Sequence, residues 1–151
     1  MAQTFEFKDE IASPAETVMK WLLDPKFIEE WTVIQKGVSP RATLTEKAPG
    51  NSLMTVNLEE PLPIGTVKTR YEFSWDVRAM RSSWTRTAEG MAGKANIRGI
   101  TEIIPNGADK CYLVDKINID IPIPIMGKKM EQMVAQYLQD GRKEKMDYFR
   151  K

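Results

Sequence analysis

From Val33 to Ile125 apolar residues tend to fall at alternate positions, interrupted by short turn-forming stretches. A period of two puts successive side chains on opposite faces of a strand, so this pattern commits most of the chain to sheet. KAPGN (Lys47–Asn51) and PNGAD (Pro105–Asp109) are turns, PLPIG (Pro61–Gly65) is a stiffer loop, and AMRSS around Met80 is a weaker turn. Between them the spacing predicts about six strands, at 34–46, 52–59, 67–78, 82–89, 94–104 and 110–123. In 67–78, Val67, Tyr71, Phe73, Trp75 and Val77 share one face, and Lys68, Arg70, Glu72, Asp76 and Arg78 the other. One wet face and one apolar face mark an antiparallel sheet. Short turns between such strands give a meander, curved enough to enclose something.

The last strand has the cleanest signal: isoleucine holds every second position from Ile117 to Ile125. Pro122 and Pro124 stop ladder pairing near its end, and Gly127 turns the chain into a helix. There Met126, Met130, Met133, Val134, Tyr137, Leu138 and Gly141 recur at spacings of three and four. Lys128, Lys129, Glu131, Gln132, Gln139 and Asp140 take the other side. Some twenty residues at ~1.5 Å each reach ~30 Å, which spans a small domain. The place for such a helix is across the apolar sheet face.

At the other end, Phe5, Phe7 and Ile11 alternate with mostly charged residues, which predicts a half-buried first strand. SPAE (Ser13–Glu16) predicts a helix with Ser13 as N-cap, Pro14 in the first position and Glu16 completing a capping box. Ala15, Val18, Trp21 and Leu22 form its apolar side. Asp24-Pro25 starts a second short helix to about Trp31, with Phe27, Ile28 and Trp31 inward.

Charge and residue types exclude several functions. Twenty-two basic against twenty-one acidic residues leave a net charge of +1, with no global attraction to nucleic acid or anionic membrane. No histidine is present, so the commonest general base and metal ligand is missing. The single Cys111 forms no internal disulfide and, without histidine, no zinc site of the usual type. Gly90 and Gly93 carry no phosphate-binding fingerprint. Neither metal nor cofactor is expected. The segment MAQTFEFKDE lacks the apolar core of a signal peptide, and no apolar run approaches ~18 residues, so the expected location is cytoplasmic. No linker or repeat divides residues 1–151, which predicts a single domain.

A strand, two short capped helices, a six-strand meander and a long final helix together resemble the helix-grip fold. That α+β superfamily holds START-related lipid-transfer domains, birch-pollen-allergen-type proteins, polyketide cyclases and coenzyme Q-binding proteins. The resemblance covers essentially the whole chain and rests on SPAETVMKWLLDPKFIEEW and IPIPIMGKKMEQMVAQYLQDG. The second segment is similar to bacterial members in which a Pro-Pro-Gly stretch feeds an amphipathic helix. The resemblance implies a curved antiparallel sheet of about seven strands around the final helix. It also implies a cavity between sheet and helix for an apolar or amphipathic small molecule. The superfamily has no universal catalytic motif, so no catalytic residue follows from it.

In that frame Tyr71, Phe73, Trp75 and Ile119 on the sheet, with Met130, Met133 and Tyr137 on the helix, are the candidate ligand-binding residues. Plain core packing is the default reading of the methionines and a cavity lining the alternative, since their adaptable side chains suit either role. Trp84 reads equally as a cavity rim or an exposed strand aromatic. Asp9 and Asp115 fall on apolar faces if their strands are regular; a bulge or strand end returning each to solvent is the favoured expectation. Arg86 and Arg98 read as outward charges, and either one turned inward would select a carboxylate head group. Arg142, Lys143, Lys145, Arg150 and Lys151 read first as a solvated helix end and second as a transient docking patch for an anionic membrane. Cys111 reads as a small buried hydrophobe.

Three functions stay open. Binding or transfer of a lipid-like metabolite without catalysis is favoured. A cyclase or dehydratase acting by cavity shape is second, disfavoured by the lack of histidine and of an evident carboxylate pair. A protein-interaction module of the chaperone co-activator type is third.

Overall fold

The computed structural model describes residues 3–34, 37–62, 65–89, 96–121, 129, 131–136 and 139. In chain order these form β1 (Gln3–Ile11), α1 (Ala15–Leu22), α2 (Pro25–Ile34), β2 (Val38–Ala48), β3 (Asn51–Leu62), β4 (Gly65–Asp76), β5 (Arg81–Ala88), β6 (Asn96–Pro105) and β7 (Cys111–Asp120). Residues 129, 131–136 and 139 are helical. All seven strands belong to one antiparallel sheet in the order β1-β7-β6-β5-β4-β3-β2. The meander expected from the period-two pattern is therefore present, with β1 added beside β7.

Turn chemistry sets the hairpins. Ala48 pairs with Asn51, which leaves Pro49-Gly50 as the β2–β3 connection, and Gly50 sits at φ 81. Proline presets the first turn position, and glycine adopts the left-handed second one without steric cost. Pro61 was expected in a loop but lies in β3. It sits beyond the last β2–β3 pair, Val38↔Glu59, where a missing N–H breaks no ladder on that side.

The helix starts divide into one correction and one agreement. Ser13 does not cap α1. Pro14 is the N-cap residue, its carbonyl accepts from Thr17 N at 3.0 Å and Val18 N at 3.2 Å, and no side chain caps the helix. Glu16 lies in the first turn, where its charge suits the helix dipole. Asp24 does cap α2: its Oδ1 accepts from Lys26 N at 3.0 Å, with Pro25 in the first position. The helix runs three residues past the expected Trp31 end.

Two apolar clusters fill the inner side of the sheet. One joins Val18, Leu22, Ile28 and Trp31 of the two helices to Met54, Trp75, Ile103 and Leu113 of the strands. The other joins Trp84, Ile97, Ile117, Ile119 and Ile121 to Ala135 of the C-terminal helix. The C-terminal helix thus covers β5, β6 and β7, while α1 and α2 close the other end. The sheet and its helices form the helix-grip arrangement. Pro122, Pro124, Gly127 and the basic cluster 142–151 lie outside the described residues.

Candidate functional site

Across the ladders, the inner-face positions line up in rows. One row runs Val56, Tyr71, Arg86, Ile97, Ile119 and Gln3 on β3, β4, β5, β6, β7 and β1. The next runs Met54, Phe73, Trp84, Gly99, Ile117 and Phe5, and a third Ser52, Trp75, Ser82, Thr101, Asp115 and Phe7. The middle of this surface is aromatic. Tyr71 and Phe73 lie 6.1 Å apart between ring centroids, and each lies 5.9 Å from Trp84. Such offset and tilted pairs add about 0.5–1.5 kcal/mol each beyond their buried area. Tyr71 and Phe73 pack against both apolar clusters, yet stay partly exposed themselves.

Gly99 explains how Trp84 fits. A Cβ at residue 99 would lie 2.5 Å from the indole ring and 2.7 Å from the Lys116 carbonyl oxygen. Trp84 is therefore neither rim nor exposed aromatic. It is buried, and its Nε1 donates to Thr101 Oγ1 at 3.1 Å.

Three polar groupings interrupt the apolar lining. Thr101 Oγ1 passes the hydrogen bond on to Asp115 Oδ1. Asp115 is buried, not returned to solvent, because β1 and β6 pair through its position without a bulge, at Phe7↔Asp115 and Thr101↔Asp115. Asp9 also stays in regular register, opposite Leu113, and is partly buried.

The second grouping surrounds Arg86, which points inward while Arg98 is exposed. Arg86 Nε donates to Glu60 Oε1 at 2.9 Å, and Tyr71 Oη donates to Glu60 Oε2 at 2.8 Å. The side chains of Arg86 and Glu60 are 2% and 6% exposed. Burial by itself would lower the Arg86 pKa. The electrostatic pull of Tyr71 and Glu60 and their hydrogen bonds outweigh it and hold the guanidinium above its ordinary value. A buried ion pair of this kind is weak evidence for added stability, because desolvation offsets the attraction.

The third grouping fixes the C-terminal helix. Glu131 is fully buried; its Oε1 accepts from Gln3 Nε2 and its Oε2 from Ile121 N, both at 2.7 Å. That phase corrects the expected one. Glu131 and Ala135 face the sheet, and Met133 is 45% exposed. Hydrogen bonds to β1 and to the end of β7 hold the helix at this rotation, so Met133 does not line the concavity.

Of the other sequence candidates, Tyr71, Phe73, Trp75 and Ile119 are on the inner face. Trp75 and Ile119 are packed within opposite clusters, which leaves Tyr71 and Phe73 as the accessible pair. Met130 and Tyr137 lie outside the described residues. Glu60, Thr69, Thr101 and Glu131 were missed. For Glu60 a signal existed: Met54, Val56 and Leu58 alternate inward and carry Glu60 with them in the same phase. The expected strand stopped at residue 59, one position short.

An open groove of about 470 Å³ crosses β2 to β5, lined largely by outward side chains and also by inward Leu58, Thr69 and Ala88. Arg41, Lys68 and Arg70 meet Glu59 and Glu89 there, and Arg70 lies 3.4 Å from Glu72. Mixed charge gives this groove no preference for either sign of ligand. Among the described residues, no cluster of three metal-ligating side chains is found, and no helix is long and apolar enough to cross a membrane.

Known structures share this architecture. The aromatase/cyclase Zhui from a Streptomyces strain is 11% identical, with a TM-score of 0.74, covering 99% of this chain and 92% of its own. A START superfamily protein from Mycobacterium smegmatis is 12% identical at a TM-score of 0.69, with 97% of each chain covered. Norcoclaurine synthase from Thalictrum flavum, in complex with dopamine and hydroxybenzaldehyde, is 11% identical at 0.66, covering 97% of this chain and 84% of its own. At such identities the likeness is one of fold. No curated protein sequence matches the chain. The family model that does match spans residues 6–151, nearly the whole helix-grip unit, and the chain belongs to that family, described as protein of unknown function DUF2505.

Proposed function

We propose that this protein binds a small hydrophobic or amphipathic molecule against the inner face of its sheet, under the C-terminal helix. One observation carries the reading. Tyr71 and Phe73, near the middle of the sheet's inner apolar face, pack against both clusters yet remain partly exposed. Apolar concave surface with a few convergent polar groups is the usual form of a small-molecule site. Aromatic walls also supply area to a flat or chain-like ligand at little entropic cost. The neighbouring structures include an aromatase/cyclase and a norcoclaurine synthase in complex with dopamine and hydroxybenzaldehyde, which supports the same kind of occupant.

A catalytic reading has one specific observation in its favour, the inward Glu60–Arg86–Tyr71 network. The binding reading is preferred because both Glu60 oxygens already accept hydrogen bonds, one of them from an arginine.

The test is uptake of N-phenyl-naphthylamine, a neutral dye that brightens in apolar surroundings. Saturable one-site binding is expected, with thermal stabilisation approaching about 2.7 kcal/mol when free dye is about a hundred times Kd. Dye fluorescence that never saturates, with no shift in melting, would sink the reading.

A further inference from the structure

We propose that the concavity ends in a site for a neutral carbonyl oxygen, built by Arg86 and Thr69, so that the ligand is an apolar molecule bearing a ketone, ester or amide. This rests on the binding reading above and names the chemistry of the ligand's polar end. Among the described residues, the buried side-chain polar atoms without a hydrogen-bond partner are Arg86 Nη2 and Thr69 Oγ1. A buried donor left unmet is costly, and each such atom in a native structure calls for an explanation.

The two atoms belong to one patch. Arg86 opposes Tyr71, and Thr69 is the next inward position along β4, opposite Ala88. Diagonal neighbours of this kind are ~7–8 Å apart, within reach of an arginine side chain. Glu60 sets the direction of that reach. It pairs with Val67, on the far side of Thr69 from Tyr71, and it holds Arg86 Nε at 2.9 Å. The guanidinium is thereby held against Glu60 and Tyr71, one inward position along β4 from Thr69. Tyr71, Phe73 and Trp84 form the adjoining apolar wall.

Charge and hydrogen-bond polarity select the group. Glu60 already neutralises Arg86, and Tyr71 occupies its second oxygen. A ligand carboxylate would therefore meet Glu60 in a low-dielectric setting, with no uncompensated cation to receive it. An ammonium group fails differently, because arginine has donors and no acceptor. A carbonyl oxygen accepts from both Nη2 and the threonine hydroxyl and brings no charge.

Fluorene, fluorenone and fluorene carboxylate test this, since they share one ring body and differ in methylene, carbonyl and carboxylate. Each would be titrated as a competitor of N-phenyl-naphthylamine. Fluorenone is expected to bind wild type roughly tenfold more tightly than fluorene, the effect of one hydrogen bond to a charged donor. Thr69→Val keeps the shape and the Glu60–Arg86 pair and should reduce that preference several-fold. The paired change Glu60→Gln with Arg86→Gln removes both charges together and should erase it. Equal binding of fluorenone and fluorene by wild type overturns the proposal, as does tighter binding of the carboxylate. A ketone preference that survives both variants overturns it too. Failure of wild type to take up the dye at all is a different result, and it removes the underlying binding reading as well.

Discussion

The indole of Trp84 occupies the space that a side chain at residue 99 would need, with the ring 2.5 Å from the ideal Cβ position. The two residues are directly paired on β5 and β6. Neither neighbour can give way, since one is a buried ring and the other the Lys116 backbone. Gly99→Ala should therefore destabilise the fold by about 1–3 kcal/mol, the usual range for overpacking. Urea unfolding measures it, and a midpoint equal to wild type would mean that Trp84 does not rest on Gly99.

Helix phase at the C-terminus gives a paired prediction. Glu131→Ala strips the acceptor from Gln3 Nε2 and the Ile121 amide. Unsatisfied buried donors of this kind cost about 1–3 kcal/mol. Met133→Ala, at a position 45% exposed, should stay within about 0.5 kcal/mol. Reversal of that order in chemical denaturation would restore Met133 to the buried face.

The helix starts separate just as cleanly. Asp24→Ala removes the acceptor for Lys26 N and should cost about 1 kcal/mol. Ser13→Ala removes no cap and should fall within about 0.5 kcal/mol of wild type. Comparable losses in thermal melts of the two variants would show that Ser13 does cap α1.

Cys111 supplies a pH dependence. Burial, and secondarily the charge of Glu16, pushes its thiol up from the ordinary value. The folded chain then holds its proton where the unfolded chain, at a pKa of about 8.5, has lost it. That contribution is complete below about pH 8.5 and fades as pH rises through the folded value. The urea midpoint should drop as pH rises above about 8.5, and Cys111→Ala should flatten that drop. An identical slope in the variant would assign it to other groups.

Periodicity and turn chemistry were enough to give the sheet. Alternation in Cys111–Asp120, Pro49-Gly50 at a hairpin and Asp24-Pro25 at a helix start each act over a few residues. Local interactions of that range are written in consecutive residues, so the meander and the two short helices were legible. Ser13 failed because SPAE fits two cap positions one residue apart, and the backbone took the one at Pro14.

The candidate site was legible in part. Tyr71 and Phe73 follow from alternation within β4. The inward charges do not. Ser82, Trp84 and Arg86 share one face of β5, and Ser83, Thr85 and Thr87 the other, a pattern with little hydrophobic contrast. What turns Arg86 inward is Glu60, twenty-six positions away in sequence and brought within 2.9 Å. Asp115 depends likewise on Thr101 across the β6–β7 ladder, and Glu131 on Gln3 at the opposite end of the chain. A charge can be buried when a distant partner satisfies it, and no stretch of consecutive residues records that partner. The sequence by itself therefore determined the strands, their turns and the apolar face they share. Only the tertiary structure decided which polar groups that face encloses.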